Sequence, residues 1–493
     1  GREGRYVAWL YKVLADEGGR HVAVTLAAAA AIAGEEAGGG DEEDLEDDDE
    51  EEEEVRLLLP DAAAPDQILA LASGAAARIA GGAQTREGKQ AAVRLLKVVA
   101  KSVPSAREPS LHDDLPTAGT ARRFPILPSI GALWVAVAGD RHMQEQVVRV
   151  MIDVLDTSDL NGDSAALSLI VGQVVSEVLA EGGSSMVKLM VKSAPSVVLL
   201  ETTAELWFQL LHAVPALTEP LANLMPRVTE CLLIPGGPAE TLLKIAEAYV
   251  LLGASQPSGE WLQWLSALLE RIGERCAAFS LKELRAALAV FEASIAIAGD
   301  DVWVAGGPLL VTAGALVLHG RGTPGPALPA SWAAGVAAIC CRTGDGGKVG
   351  AIVAGIPGAT QEGVLDAWVD AWESLVSIER RRATSLALVR LIAAGFPPAV
   401  AHLPSLANMV VEISAEEAGW EHEAAARDAR GGSLSAVQRR RRALWLECYQ
   451  GASPAAMLRA ALDACRAKGG GAAVDAALAL TDATIMTQLS SLA

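Results

Sequence analysis

The sequence predicts an all-α protein, a right-handed α-solenoid of irregular HEAT-type helix pairs, and three observations point there. At 493 residues the chain is too long for one compact core, so it holds several domains or a repeat array. It is 51% hydrophobic yet only 4% aromatic, and it has few of the β-branched alternations bounded by turn residues that announce a sheet. Between clusters of Gly, Pro and Ser, apolar positions recur at helical spacing over segments of about 12 to 18 residues. Two such helices and their turns consume about 40 residues, which is the HEAT period.

In chain order, residues 1–33 read as a HEAT-like helix pair around Tyr6 to Leu14, and the opening GREGRYVAWLYKV lacks a Met, so the chain is expected to be a truncation. Residues 34–60 are Gly-rich and then acidic; they cannot bury apolar area and read as a disordered loop. HEAT repeats are expected over 61–411. Helical runs stand at Gln67 to Ala80, Gln90 to Val103, Met143 to Leu155, Ala165 to Leu179, Ser196 to Ala213, Glu240 to Leu252, Glu260 to Ile272, Leu281 to Ile297, Glu362 to Leu375 and Ala383 to Ala394. Ser280-Leu-Lys-Glu283 has the capping-box pattern of a helix start. Prolines 195, 215, 235, 238, 397 and 398 stop or start helices, as a stack of short antiparallel helices requires. Residues 412–437, rich in Ala, Glu, Arg and Gly, read as a flexible loop, and 438–493 as C-terminal helices.

Net charge is −21, but its distribution carries more information than its sum. Thirteen acids stand in one run interrupted by Leu45: Asp41, Glu42, Glu43, Asp44, Glu46, Asp47, Asp48, Asp49, Glu50, Glu51, Glu52, Glu53 and Glu54. Without them 48 acids face 40 basic residues, an ordinary surface balance. Nucleic acid is disfavoured as a partner, because phosphate neutralisation needs a basic face and only short Arg clusters are present. The acidic run is either a solubilising loop or a candidate partner-binding segment, a polyanion that raises the local concentration of basic partners.

No pattern of covalent chemistry stands out. The six cysteines form no CxxC pair and have no His at zinc spacing, so no disulfide framework or metal site is expected. Asp159 to Asp163 lacks the Gly and the twelfth-position Glu of a calcium loop and reads as a turn. Thr343 to Gly350 lacks the upstream Gly and following Ser or Thr of a phosphate loop and reads as an inter-helix turn. Glu421-His422-Glu423 reads as a solvated loop, since adjacent helical residues diverge by about 100° and cannot share one metal. The chain is therefore expected to be no enzyme and to need no cofactor. Apolar runs such as Val304 to Leu318 stay below the roughly 18 residues of a membrane span, so no membrane insertion is expected. Trp261 with Trp264 and Trp368 with Trp372, at helical spacing, read as core packing. Gln438 to Arg442 reads as a solvated or partner-facing helix start rather than a nuclear localisation signal. Arg380 to Arg382 stand unfavourably at a positive helix N-terminus and should be compensated by Glu379 or by carboxylates of a neighbouring repeat.

Four stretches resemble the importin-β (karyopherin) superfamily of nuclear transport receptors, in its importin-eleven branch. They are Val198 to Trp207 with the Thr218-Glu-Pro220 joint, Ile126 to Trp134, Leu365 to Trp372 running into Ile378-Glu-Arg-Arg-Arg382, and Asp482 to Leu489. Glu201, Trp207, Trp368, Glu379, Arg380 and Arg381 are the residues that match the family's structural motifs, with Arg382 where the family has Lys. The resemblance implies a largely monomeric import receptor that shuttles between cytoplasm and nucleus, contacts Phe-Gly nucleoporins, binds protein cargo, in this case basic cargo, and responds to GTP-loaded Ran. Cargo contacts would lie on concave helices and on the acidic run. A static HEAT-repeat scaffold and an exportin are the alternatives.

Overall fold

The computed structural model describes residues 133–156, 195–232, 237–253, 259–320, 326–343, 346–429, 435–447 and 453–492, together with 93, 172 and 174–178. Among the described residues the chain is helical and no strand occurs. It divides into two compact units, Gly1–Leu224 and Met225–Ala493. The acidic run 41–54, the N-terminal pair 1–33, the turn at Asp159 to Asp163 and most of 61–132 lie outside the described residues.

In the first unit α1 (Arg141–Asp156) packs against α2 (Pro195–Ala213). Met143, Val147, Val150 and Met151 form the apolar stripe of α1, and Leu199, Leu206, Trp207 and Leu210 meet water nowhere along α2. That stripe spacing is what a helix with one buried face needs. The indole of Trp134 donates to Glu177 at 2.6 Å. Pro220 opens the short α3 (Glu219–Ala222).

The second unit is a stack in two layers. One layer holds α4 (Met225–Leu232), α6 (Gly259–Arg275), α8 (Trp303–His319), α10 (Gly346–Gly355), α11 (Gln361–Trp372), α13 (Pro397–Ala401) and α17 (Gly471–Ala479). The other runs through α5 (Ala239–Gly253), α7 (Leu281–Ala298), α9 (Ala327–Thr343), α12 (Ile378–Ala394) and α16 (Pro454–Cys465), each packed on the next. Two further helices close one end, α14 (Leu403–Ala429) against α12 and α18 (Ala483–Ser491) against α14. One more, α15 (Ala436–Glu447), lies across α5, α7 and α12 instead of joining a layer.

Local chemistry sets the ends of these helices. The Ser280 hydroxyl accepts from the Glu283 amide, and the Glu283 carboxylate accepts from the Ser280 amide at 2.6 Å, a complete capping box for α7. Side chains of Thr360, Ser377, Ser453 and Asp482 accept from first-turn amides and cap α11, α12, α16 and α18, each by the single N-cap bond. Gly395, left-handed at φ 80°, ends α12.

The tryptophans tie the layers together. Trp332 and Trp368 are fully buried, and Trp261, Trp264 and Trp372 nearly so. Two of these indole N–H groups reach backbone carbonyls, Trp264 to Met225 at 3.0 Å and Trp332 to Leu310 at 3.1 Å, which offsets the cost of burying those donors.

Several expectations are corrected. Residues 412–437 are in larger part helix, because α14 continues to Ala429; Ala, Glu and Arg are strong helix formers even without an apolar stripe. Glu421 to Glu423 are thus on a helical backbone and not in a loop. Of Thr343 to Gly350, expected as a turn, the described positions are helical, since Thr343 ends α9 and α10 begins at Gly346. The helix expected from Ala383 starts at Ile378, and the one expected to reach Leu375 ends at Trp372. The apolar stretch Leu281–His319 is long and apolar enough to cross a membrane by composition, although the run Val304 to Leu318 alone is too short. It breaks at Gly299–Val302 and buries Leu284, Leu288, Phe291 and Ile295 within the stack, as a core helix does.

Candidate partner-binding face

The most concentrated charge chemistry lies where α15 crosses α5, α7 and α12. Glu247 stands among Ala246, Ala248, Tyr249 and Val250 on α5, and Glu292 among Val290, Phe291 and Ala293 on α7; both acids are buried. A lone carboxylate in such a setting is costly unless a cation reaches it.

Two arginines do. Arg380, in the first turn of α12, forks onto Glu292 with Nε 2.9 Å from Oε1 and Nη2 2.7 Å from Oε2. Glu292 above all, with Glu247 and Glu379, raises the Arg380 pKa further, so its charge is permanent. The second cation is Arg441 of α15, whose Nη2 lies 2.6 Å from Glu247 Oε1. Burial pushes the Glu247 carboxyl up from its ordinary value; Arg441 and Arg380 oppose that, and Glu292 adds to it.

Around this core the charges continue. Arg442 Nε stands 3.9 Å from Glu379 Oε1, a distance for attraction and not for a hydrogen bond. The Ser377 hydroxyl donates to Glu379 Oε2 at 2.5 Å. Arg381 donates from Nε to the Leu375 carbonyl at 2.7 Å, pairs with Glu416 of α14, and lies over the Trp372 ring at 5.0 Å. For Arg380 and Arg381 the expected compensation is therefore met by carboxylates of neighbouring helices. Arg380 and Arg381 point into protein, where they serve the scaffold.

Of the other family-motif residues, Trp207 and Trp368 are core, and Glu201 is exposed on α2. The acidic candidates Asp41 to Glu54 lie outside the described residues. Sequence reasoning missed Glu247, Glu292, Glu416 and the part played by Arg441. A usable signal existed: one carboxylate isolated inside an otherwise apolar helix, twice, on helices that neighbour each other. Among the described residues no three His, Cys, Asp or Glu side chains gather as a metal site needs. What the arrangement offers is recognition of guanidinium by buried carboxylates.

Residues 353–493 match the family model described as importin-11-like, TPR repeats. No curated protein matches the chain. Among solved structures the chain is similar to Lph2, described as a novel bidirectional nuclear transport receptor in S. cerevisiae, with a TM-score of 0.63 at 13% sequence identity. The alignment covers 100% of this chain and 50% of Lph2, so the chain spans half the length of that receptor. At that identity the similarity is one of fold, a helical-repeat solenoid.

Proposed function

We propose that this chain, whose residues 353–493 match the importin-11-like repeats, is part of a nuclear import receptor of the importin-β superfamily that binds protein cargo and is regulated by GTP-loaded Ran. The observation that carries the reading is the family match at residues 353–493, and the fold shared with a transport receptor along the whole chain supports it. The receptor acts by reversible binding without covalent chemistry and shuttles between cytoplasm and nucleus, contacting Phe-Gly nucleoporins on the way.

The mechanism is differential affinity. Cargo and GTP-loaded Ran stabilise different arrangements of one helical stack, and each weakens the other reciprocally. The acidic run Asp41 to Glu54 favours basic cargo through its charge, and deleting it weakens basic-cargo binding chiefly at low salt. An unchanged salt dependence after that deletion would remove the run from the cargo site.

The test is the affinity for Ran loaded with GTP and with GDP, with and without a basic cargo protein, in a protein that includes this chain. Preference for the GTP form together with cargo displacement supports import. Binding that ignores the nucleotide state leaves a static scaffold. A second reading, transport in both directions, is favoured by the bidirectional description of Lph2; there some cargo binds together with GTP-loaded Ran.

A further inference from the structure

Helix α15 does not belong to either layer, and its sequence says why it sits where it does. Val437, Arg440, Arg441 and Leu444 stand at i, i+3, i+4 and i+7, one face of a helix. Val437 and Leu444 are buried, Arg440 is half-buried, and Arg441 reaches Glu247. The surface beneath is built to receive that face. Glu247 is the carboxylate that meets it, near Glu292, which Arg380 already holds, Glu379 extends the surface at the start of α12, and apolar side chains of α5, α7 and α12 lie around them.

The hold is light. Among its described side chains α15 buries two large apolar groups, whereas α7 alone buries Leu284, Leu288, Val290, Phe291 and Ile295. Arg441 remains nearly half exposed, and a partly solvated ion pair contributes little. Glu247 meanwhile bears a burial cost that is relieved when its surroundings open to water.

We propose that the face formed by α5, α7 and α12 is a binding surface for an arginine-bearing amphipathic helix, that α15 fills it in cis, and that a partner protein with such a helix takes the surface by displacing α15. The chemistry of the partner is that of the face α15 presents: a guanidinium that meets Glu247, as Arg441 does, with apolar residues one turn away on each side. The proposal rests on the reading of the chain as a binding protein and names the regulation of that binding.

The test uses the full chain and a fluorescent peptide of residues 435–447. A tethered competitor works at a high effective concentration, so the wild-type chain binds the peptide weakly. Arg441→Glu places a third acid beside Glu247 and Glu292 and frees the surface, and the peptide then binds at least about tenfold more tightly, by release of the tethered competitor. Leu444→Asp undocks α15 through its apolar anchor, leaves every arginine and every acid of the surface in place, and gives the same gain. A peptide carrying R440E and R441E binds none of these chains. Equal peptide affinity for the wild type and both variants, or equal binding of the charge-reversed peptide, overturns the proposal. Amide exchange on the wild-type chain is the independent arm: α15 should open more readily than α7, and equal protection of the two helices also overturns it. Neither arm involves Ran or cargo, so failure here and failure of the transport reading are separate results.

Discussion

Arg380 and Glu292, 88 residues apart in the chain, form a two-pronged ion pair that links the first turn of α12 to the middle of α7. The acid is the more deeply buried partner. Truncating Arg380 therefore leaves Glu292 near Glu247 without the cation bonded to it, whereas truncating Glu292 leaves Arg380 near Glu247 and Glu379. Arg380→Ala is expected to cost about 3 kcal/mol, at the low end for a broken buried pair because the arginine is partly solvated. Glu292→Gln should cost less. Replacing both, Arg380→Met with Glu292→Leu, should recover most of the loss. Urea unfolding of the four chains measures this; equal losses for the two single variants would contradict the asymmetry.

The Glu247 carboxyl makes stability depend on pH in a direction opposite to that of an exposed ion-paired acid. Burial raises its folded-state pKa above the ordinary 4.5, so the folded chain holds the proton more tightly than the unfolded chain does. That contribution is fully present below the ordinary value and is lost as pH rises through the raised folded value. Glu247→Gln removes it while keeping an acceptor for Arg441. The stability of the Gln variant relative to wild type should rise as pH climbs from about 4.5 and level off once Glu247 is ionised in the fold. Thermal unfolding of both chains between acid and neutral pH gives the difference, and a constant difference would show that Glu247 does not titrate abnormally.

Much of the fold was legible because its determinants are local. Ser280 and Glu283 announce α7 by themselves, and the apolar period over Glu240 to Leu252 or Glu260 to Ile272 places helices within a few residues. The three arginines after Ile378 were harder: they interrupt the apolar stripe, so the period begins only at Ala383, yet Ser377 caps a helix that starts at Ile378. The pairing was legible in kind but not in partner. A charge cluster at a positive helix end must be compensated, and that follows from electrostatics alone. Which acids compensate it depends on which helices become neighbours across the stack, and no spacing in the sequence encodes that. Arg441 shows the same limit, since a basic helix start reads alike whether it faces water or a buried glutamate.

Arg381 is held at three points, the Leu375 carbonyl, the Glu416 carboxylate and the Trp372 face. The Trp372 indole in turn donates to the Arg381 carbonyl at 3.2 Å. A lysine keeps the charge but has no planar fork to reach a carbonyl and a carboxylate while lying on a ring. Arg381→Lys should therefore cost about 1 to 2 kcal/mol, less than Arg381→Ala but clearly more than an ordinary surface exchange. Urea midpoints for the two variants give that order; a Lys variant as stable as wild type would mean that charge alone is used here.

Two helical glycines, one in α8 and one in α10, offer a test with its own control. Glycine inside a helix is about 1 kcal/mol worse than alanine, so Gly→Ala normally stabilises. At Gly306 the added methyl would stand 2.2 Å from the Phe291 ring of α7, far inside contact distance. Phe291 is fully buried, so the ring cannot swing into solvent and the two helices must separate instead. Overpacking of this kind costs about 1 to 3 kcal/mol, enough to cancel or reverse the helical gain. At Gly350 of α10, which Ala351 follows, nothing lies within 4 Å of the added methyl, and the gain should appear in full. Gly306→Ala is thus expected to lower the unfolding temperature and Gly350→Ala to raise it. If both variants moved the same way, the close approach of α7 and α8 at Phe291 would not be the constraint that keeps position 306 a glycine.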